Sequence, residues 1–343
     1  MIFLLHAWER FNEFLNQKEY SSIFLIMDEN TQRECLPYFN QMSNHNISNT
    51  LIIPSGEQHK NLETCQLIWN YLIDEGIDRK SLIIGLGGGV LCDIVGFCAS
   101  TVLRGVDAIY VPTSLMAQAD AAVGGKTGIN LEFFKNQIGS FYSPEAVLVD
   151  IHFLSTLPER HIKNGFVEII KHAMIQEPNY LDDVLDLEWP VSKENLEVYI
   201  KKSIRTKSDI VEKDFYEQHQ RKMLNFGHTI GHALESYFLS QNKDALHGEC
   251  IAMGMIAESY ISSELYNWKP HTLKRLTEKL KELMTPFRFS EAEVPQILEL
   301  MWKDKKKQSA QMRFSLLSQP GKGVWDIAVS KPMIEKSLEY CQL

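Results

Sequence analysis

The stretch SLIIGLGGGVLCDIVGFCASTVL, residues 81–103, constrains the fold more than any other. It opens as an apolar run of strand length, passes through glycines, and continues with a helical period. A strand that is apolar on both faces is buried on both faces, and it belongs in a parallel sheet covered by helices. The flanking sequence repeats the pattern. SIFLIMDEN and NTLIIPSGEQHK read as strands and LETCQLIWNYLIDEGI as a helix before it, and GVDAIYVPTS reads as a strand after it. Strand–helix alternation of this kind predicts an α/β unit built on a parallel sheet.

From about residue 155 the periods turn helical, in RHIKNGFVEIIKHAMI, ENLEVYIKKSIRTKSDIVEKDF, HTIGHALESYFLS, ECIAMGMIAESYISSELY and HTLKRLTEKLKELM. A chain of 343 residues exceeds one ordinary core. The change of pattern divides it into residues 1–157, an α/β domain, and 158–343, a mostly α-helical domain. The formal net charge of -9 argues against a nucleic-acid partner, whose binding surface would be basic. The six cysteines form no CxxC pair or dense framework and read as reduced thiols of a cytoplasmic protein. The opening MIFLLHAWERF reaches His6 and Glu9 too soon for a signal segment, and no apolar run would span a bilayer, so no membrane partner is expected.

Several stretches carry chemistry. In GLGGGVLCD, Gly85, Gly87, Gly88 and Gly89 stand between a strand and a helix, where glycine lets the backbone approach a phosphate and the helix N–H groups favour an anion. The spacing is not GxGxxG, and a tight turn without a ligand is the alternative. Asp28 ends an earlier strand, in position for a ribose hydroxyl. AQADAAVGGKTGINLEFFKNQIGSFY reads as a loop that sets Asp120, Lys126, Lys135 and Asn136 among small residues, and lysine binds phosphate as a point charge. In NGFVEIIKHAMI, Glu168, Lys171 and His172 share one side of a helix, so the carboxylate pairs with either Lys171 or a metal. His228 and His232 share a helix face in NFGHTIGHALES, and LHGEC adds His247. Three imidazoles and a carboxylate form the N/O set taken by Zn²⁺ with a position left open. Spacing alone ligates both His228 and His232, with Glu168 or His247 as the third ligand.

Taken together, GGGVLCDIVGF, VPTSLMAQADAAVGGKTGIN, KNQIGSFY, GFVEIIKHAMI, LNFGHTIGHALE and LHGEC, in that order, resemble the 3-dehydroquinate synthase family of sugar phosphate cyclases. The resemblance implies an N-terminal parallel-sheet NAD-binding domain and a helical C-terminal metal- and substrate-binding domain. It implies a single divalent ion, Zn or Co, held by Glu168, His228 and His247, with His232 beside it as a polar and proton-relay group. Implied substrate contacts in the first half are Arg104, Asp120, Lys126, Lys135 and Asn136. In the second half they are Lys171, Lys207, Glu217, Arg221, Asn225 and His232, followed by Lys305 or Lys306 within KDKKKQ.

For NAD, the resemblance puts Asp28 and Asn30 near the adenosine ribose, with Glu57 and Lys60 of GEQHK nearby. Gly88, Gly89, Val90 and Asp93 follow, then Thr113 and Ser114, with Asp120, Lys126 and Lys135 also touching the cofactor. Phe153 to Thr156 would close over it. The implied reaction converts 3-deoxy-D-arabino-heptulosonate 7-phosphate to 3-dehydroquinate and phosphate, with hydride borrowed and returned. A homodimer is implied, with Arg104 a candidate to come from the other subunit. Another cyclase of the 2-deoxy-scyllo-inosose or 2-epi-5-epi-valiolone synthase type is the alternative. Arg221, Asn225 and Lys207, placed for a substrate carboxylate, favour the first reading.

Overall fold

The computed structural model describes residues 2–132, 134–176, 178–285, 287–304 and 312–342. The chain divides into two compact units, Met1–Pro158 and Glu159–Leu343.

The first unit is built on β1 (Ile2–Leu5), β2 (Ile23–Asp28), β3 (Asn49–Ile53), β4 (Leu82–Gly87), β5 (Asp107–Pro112) and β8 (Ala146–Val149). They form one parallel sheet in the order β1-β8-β5-β4-β2-β3. Helices α1 (Trp8–Lys18), α2 (Glu29–Glu34), α3 (Leu36–Met42), α4 (Leu62–Asp74) and α5 (Gly89–Thr101) alternate with the strands. Alternate strand residues make each face apolar. Leu25, Met27, Leu82, Ile84, Leu86, Ile109 and Val111 gather with Trp8 and Phe11 of α1 and Phe39 of α3 in one buried cluster. On the other face α5 lies close on β4 and β5 because glycines leave room. A Cβ on Gly85 would stand 3.2 Å from Val95, and one on Gly96 would stand 2.0 Å from the Tyr110 hydroxyl. The fully apolar β4 is buried along its whole length, as its composition requires.

The segment expected as a loop around Lys126 is ordered differently. A π-helical turn at Ala117–Ala121 leads into an antiparallel hairpin, β6 (Lys126–Leu131) and β7 (Phe134–Phe141). Its glycines serve strand pairing. Gly128 and Gly139 face each other, and a Cβ on Gly139 would lie 2.2 Å from the Thr127 carbonyl oxygen. What reads as loop composition is close approach of two backbones.

The second unit contains α6 (Glu159–Gln176), α7 (Pro178–Leu185), α8 (Lys193–Lys213), α9 (His228–Ser240), α10 (His247–Tyr266), α11 (Pro270–Leu283), α12 (Val294–Asp304) and α13 (Lys331–Gln342). A hairpin that sequence periodicity did not announce, β9 (Met312–Gln319) with β10 (Lys322–Val329), joins them. Helix α10 is the centre, packed against α6, α9, α11, α13 and β9. Glycines again set the spacing. A Cβ on Gly254 of α10 would meet the Gly227 carbonyl oxygen at 2.0 Å, and one on Gly248 would meet that of Asn164 at 2.1 Å. The Gly248 N–H donates to Asn164 Oδ1 at 2.6 Å, which ties the start of α10 to α6. Among the described residues no helix is long and apolar enough to cross a membrane.

Candidate active site

In the second unit, α6, α9 and α10 bring a carboxylate and imidazoles together. Glu168 of α6 is fully buried. Its Oε2 forms an ion pair with Lys171 Nζ one turn on. Among the described residues its Oε1 accepts no hydrogen bond; His228 Nε2 lies 3.7 Å away and His247 Nε2 3.8 Å away. His228 opens α9, and its Nδ1 is 3.1 Å from the Phe226 carbonyl oxygen. His247 opens α10, and its Nδ1 is 3.2 Å from Glu235 Oε2. Carbonyl and carboxylate oxygens only accept, so each Nδ1 carries a proton, and in the neutral ring the Nε2 is left with a lone pair for a metal. Burial holds His228 well below the ordinary imidazole range, and the positive charge of Lys171 lowers it further, so this ring is neutral at pH 7.

Two imidazole nitrogens and a buried carboxylate oxygen therefore converge, the donor set of a divalent ion. Bonds of ~2.0–2.1 Å to each atom, as Zn²⁺ makes, fit oxygen–nitrogen separations of 3.7 and 3.8 Å. The His232 ring centroid stands 5.2 Å from that of His228 and 5.7 Å from that of His247. One nitrogen of each of the three rings lies within 4.8 Å of the others. The structure thus gathers all four groups that spacing nominated, with Glu168 against His228 and His247.

The carboxylate of Glu258 on α10 accepts from Gly227 N at 2.7 Å and Ile230 N at 3.1 Å, fixing the first turn of α9 that carries His228. Sequence reasoning missed Glu258, Glu235, Phe226 and Asn164. Glu235 could have been found, because it repeats the His228 and His232 face further along α9. Nothing local marks Glu258.

The other expected substrate contacts of this unit lie nearby in chain order. Lys207 of α8 is buried, and Glu217, Arg221 and Asn225 share the segment that leads from α8 to α9. Asp214 gathers the N–H groups of Gln218, His219 and Arg221 at 2.9, 2.7 and 3.0 Å, and that shapes the turn. Asn225 donates to Glu217 Oε1 at 2.6 Å, and the Arg221 guanidinium to the Phe215 carbonyl. Glu217 holds a left-handed φ of 59°, unusual outside glycine and frequent at functional sites. Lys305 and Lys306 lie outside the described residues.

In the first unit, the expected cofactor residues cluster at the C-terminal ends of the adjacent strands β5, β4, β2 and β3, where parallel sheets bind ligands. Gly88 caps α5 with no side-chain cap, so its first N–H groups are available to an anion. A Cβ on Gly89 would be 3.0 Å from that of Ala121, beside Asp120. Val90 follows Gly89 in the first turn of α5, and Thr113 N donates to the Gly87 carbonyl at 3.0 Å, with Ser114 next in the chain. Asp28 Oδ1 accepts from the N–H groups of Asn30 and Thr31, both at 2.9 Å, as the cap of α2.

Buried Lys60 Nζ lies 2.5 Å from both Asp93 Oδ2 and Asn136 Oδ1. Glu57 Oε1 accepts from Asn130 at 2.9 Å and lies 3.7 Å from Lys135 Nζ. The turn after β3, the start of α5 and the hairpin tip thus form one polar network. Lys126 stands at the other end of the hairpin, about 13 Å along the strand from that tip. Arg104 lies past the far end of α5, about 20 Å from the glycine turn by helix rise. In the segment Phe153 to Thr156, expected to close over the cofactor, the Phe153 ring is buried. It is 3% exposed and edge-on to Tyr38, because its apolar area pairs with Trp8 and Tyr38. Thr156 is exposed.

Comparison with known proteins agrees over the whole chain. The family model described as 3-dehydroquinate synthase N-terminal matches residues 50–164, and 3-dehydroquinate synthase C-terminal matches 165–307. A 3-dehydroquinate synthase of Parabacteroides distasonis is 37% identical, covering 96% of this chain and 93% of its own length. A crystal structure of 2-deoxy-scyllo-inosose synthase, complexed with carbaglucose-6-phosphate, NAD+ and Co2+, superposes with a TM-score of 0.83 at 26% identity, covering 98% of this chain and 95% of that one. The 2-epi-5-epi-valiolone synthase of Streptomyces hygroscopicus subsp. jinggangensis 5008, with NAD+ and Zn2+ bound, has a TM-score of 0.81 at 22% identity, covering 99% and 95%, which speaks to the fold alone. The chain belongs to the 3-dehydroquinate synthase family.

Proposed function

We propose that this chain is a 3-dehydroquinate synthase dependent on NAD and one divalent metal, converting 3-deoxy-D-arabino-heptulosonate 7-phosphate to 3-dehydroquinate and phosphate. Residues 1–157 bind NAD and residues 158–343 bind metal and substrate. Glu168, His228 and His247 hold the ion. The observation that carries this is the buried Glu168 Oε1, without a hydrogen bond among the described residues and faced by the Nε2 atoms of two imidazoles. When bound, the ion supplies a Lewis acid at a substrate hydroxyl, and NAD takes up and returns a hydride, so no net redox change results.

The chain's own residues bind and orient. The N–H groups at Gly88 and Gly89, with Thr113 and Ser114, receive the cofactor's pyrophosphate. Asp28 and Asn30 stand by its ribose, and Lys60 holds Asp93 and Asn136 in place. Lys135 and Glu57 complete that network, which supports a cofactor role for the hairpin tip. Lys126, away from it, takes the substrate phosphate with Arg104. The remoteness of Arg104 from the glycine turn supports its service in a second subunit of a homodimer. Lys207 and Arg221 bind the substrate carboxylate and hydroxyls, with Arg221 positioned by its carbonyl partner and Asn225 by Glu217. Lys171 neutralises Glu168 Oε2, leaving Oε1 to the ion. His232 sits beside the ion as a proton relay. The departing phosphate takes the C6 proton, so no dedicated protein base is required. The cytoplasm is the fitting compartment for six buried free cysteines.

Phosphate release tests the reading. Metal-loaded protein with NAD should release phosphate from the heptulosonate phosphate in preference to glucose 6-phosphate and sedoheptulose 7-phosphate, with no NADH accumulating. Preference for either sugar phosphate would transfer the chain to another cyclase, and NADH formed in step with turnover would make it a dehydrogenase.

A further inference from the structure

The two imidazoles facing Glu168 are anchored by different partners. His228 Nδ1 meets a neutral backbone carbonyl, while His247 Nδ1 meets the carboxylate of Glu235 at 3.2 Å. Glu235 is 3% exposed, so its charge is held in a poorly solvated place where it interacts strongly. It lies two turns beyond His228 on the same face of α9. Helix α9 therefore supplies one nitrogen directly and orients the other, which belongs to α10. The glycine contact between Gly254 and Gly227 fixes the spacing of those two helices.

We propose that Glu235 is the positioning residue of the metal centre, holding His247 in the Nδ1–H tautomer with Nε2 aimed at the ion and raising its donor strength. This rests on the assignment of Glu168, His228 and His247 as ligands. A carboxylate accepting from the remote nitrogen of a ligand imidazole fixes ring orientation and increases ligand basicity, and its loss weakens metal binding on the order of 10–100-fold. His228, on a neutral acceptor, gains less, so the two histidines are unequal donors and His247 is the stronger. Glu235 acts through His247, whose Nδ1 it faces.

The test compares Glu235→Leu, which fills the space without accepting a hydrogen bond, with Glu235→Gln, which keeps an acceptor oxygen and drops the charge. Co²⁺ is titrated into apo protein against a chromogenic chelator, and the visible ligand-field spectrum is recorded. Apo melting temperatures establish that each variant is folded. The expected result for Glu235→Leu is Co²⁺ affinity down on the order of 10–100-fold with an altered spectrum, and Glu235→Gln should fall between Leu and parent. A merely space-filling Glu235 would shift the apo melt and leave affinity and spectrum alone. Parent-like affinity and spectrum in Glu235→Leu overturns the proposal, as does a Gln variant no better than Leu. If Glu235→Leu does not fold, Glu235→Gln against parent decides: weaker binding with a changed spectrum supports it, and no change overturns it. His247→Ala is titrated alongside. Parent affinity there would show that the ligand assignment itself is wrong, whereas lost affinity there with parent affinity in Glu235→Leu removes only the role of Glu235.

Discussion

Replacing Glu258 with alanine removes a fully buried carboxylate that accepts from Gly227 N at 2.7 Å and Ile230 N at 3.1 Å. Helix α9 has no side-chain cap of its own, so those two N–H groups would be left buried at its N-terminus. Each hydrogen bond to a charged acceptor contributes roughly 1.5–3 kcal/mol. Losing both therefore costs about 3–6 kcal/mol. For a unit of this size that corresponds to a fall in melting temperature of roughly 6–24 °C. Calorimetry on apo protein, with the two units followed as separate transitions if they resolve, measures it. Glu258→Gln keeps the shape and one acceptor oxygen and should lose less than Glu258→Ala. Because His228 is the first residue of α9, metal affinity of the folded Ala variant should fall as well. A Glu258→Ala loss under about 1 kcal/mol would refute the reasoning, since two orphaned buried donors alone exceed it.

Three further outcomes follow from the same geometry. Gly248→Ala places a Cβ 2.1 Å from the Asn164 carbonyl oxygen, so α10 must shift from α6 and carry His247 from Glu168; metal content after dialysis should drop although no ligand has changed. Lys60→Met removes the contacts of Lys60 with Asp93 and Asn136, and NAD affinity by fluorescence titration should weaken about 10-fold or more, as for loss of a buried charge-assisted contact. Burial pushes the Asp150 carboxyl up, but the His152 N–H, Trp8, Tyr38 and His6 more than offset it and hold it below the usual carboxylate range. The folded state thus resists protonation of Asp150. Its stability contribution is complete above about pH 4 and is lost as acid takes the pH through the lower folded value. Asp150→Asn should flatten the fall of melting temperature below pH 4, and an unchanged acid limb would count against it.

The parallel sheet was legible because burial on both faces leaves no polar position along a strand such as Leu82–Gly87. The hairpin carrying Lys126, Lys135 and Asn136 was not. Gly128 and Gly139 oppose each other there, and local sequence does not distinguish glycine that permits close pairing from glycine that permits a turn. For the site, spacing on α9 put His228 and His232 on one face, and the structure adds Glu168 and His247 from other helices. The choice of ligands came from family likeness, since helical spacing says nothing about which rings approach a distant carboxylate. Glu258 stayed hidden because a cap supplied by another helix leaves no mark near the helix it caps.

Metal stoichiometry in single-ligand variants tests the central claim most directly. After Co²⁺ loading and gel filtration, Glu168→Gln, His228→Ala and His247→Ala should each come through with metal largely lost. His232→Ala should retain close to one ion per chain while turnover collapses. A His232→Ala protein that emerges empty, beside a His247→Ala protein that stays loaded, would contradict the account and place the ion on the His228–His232 pair.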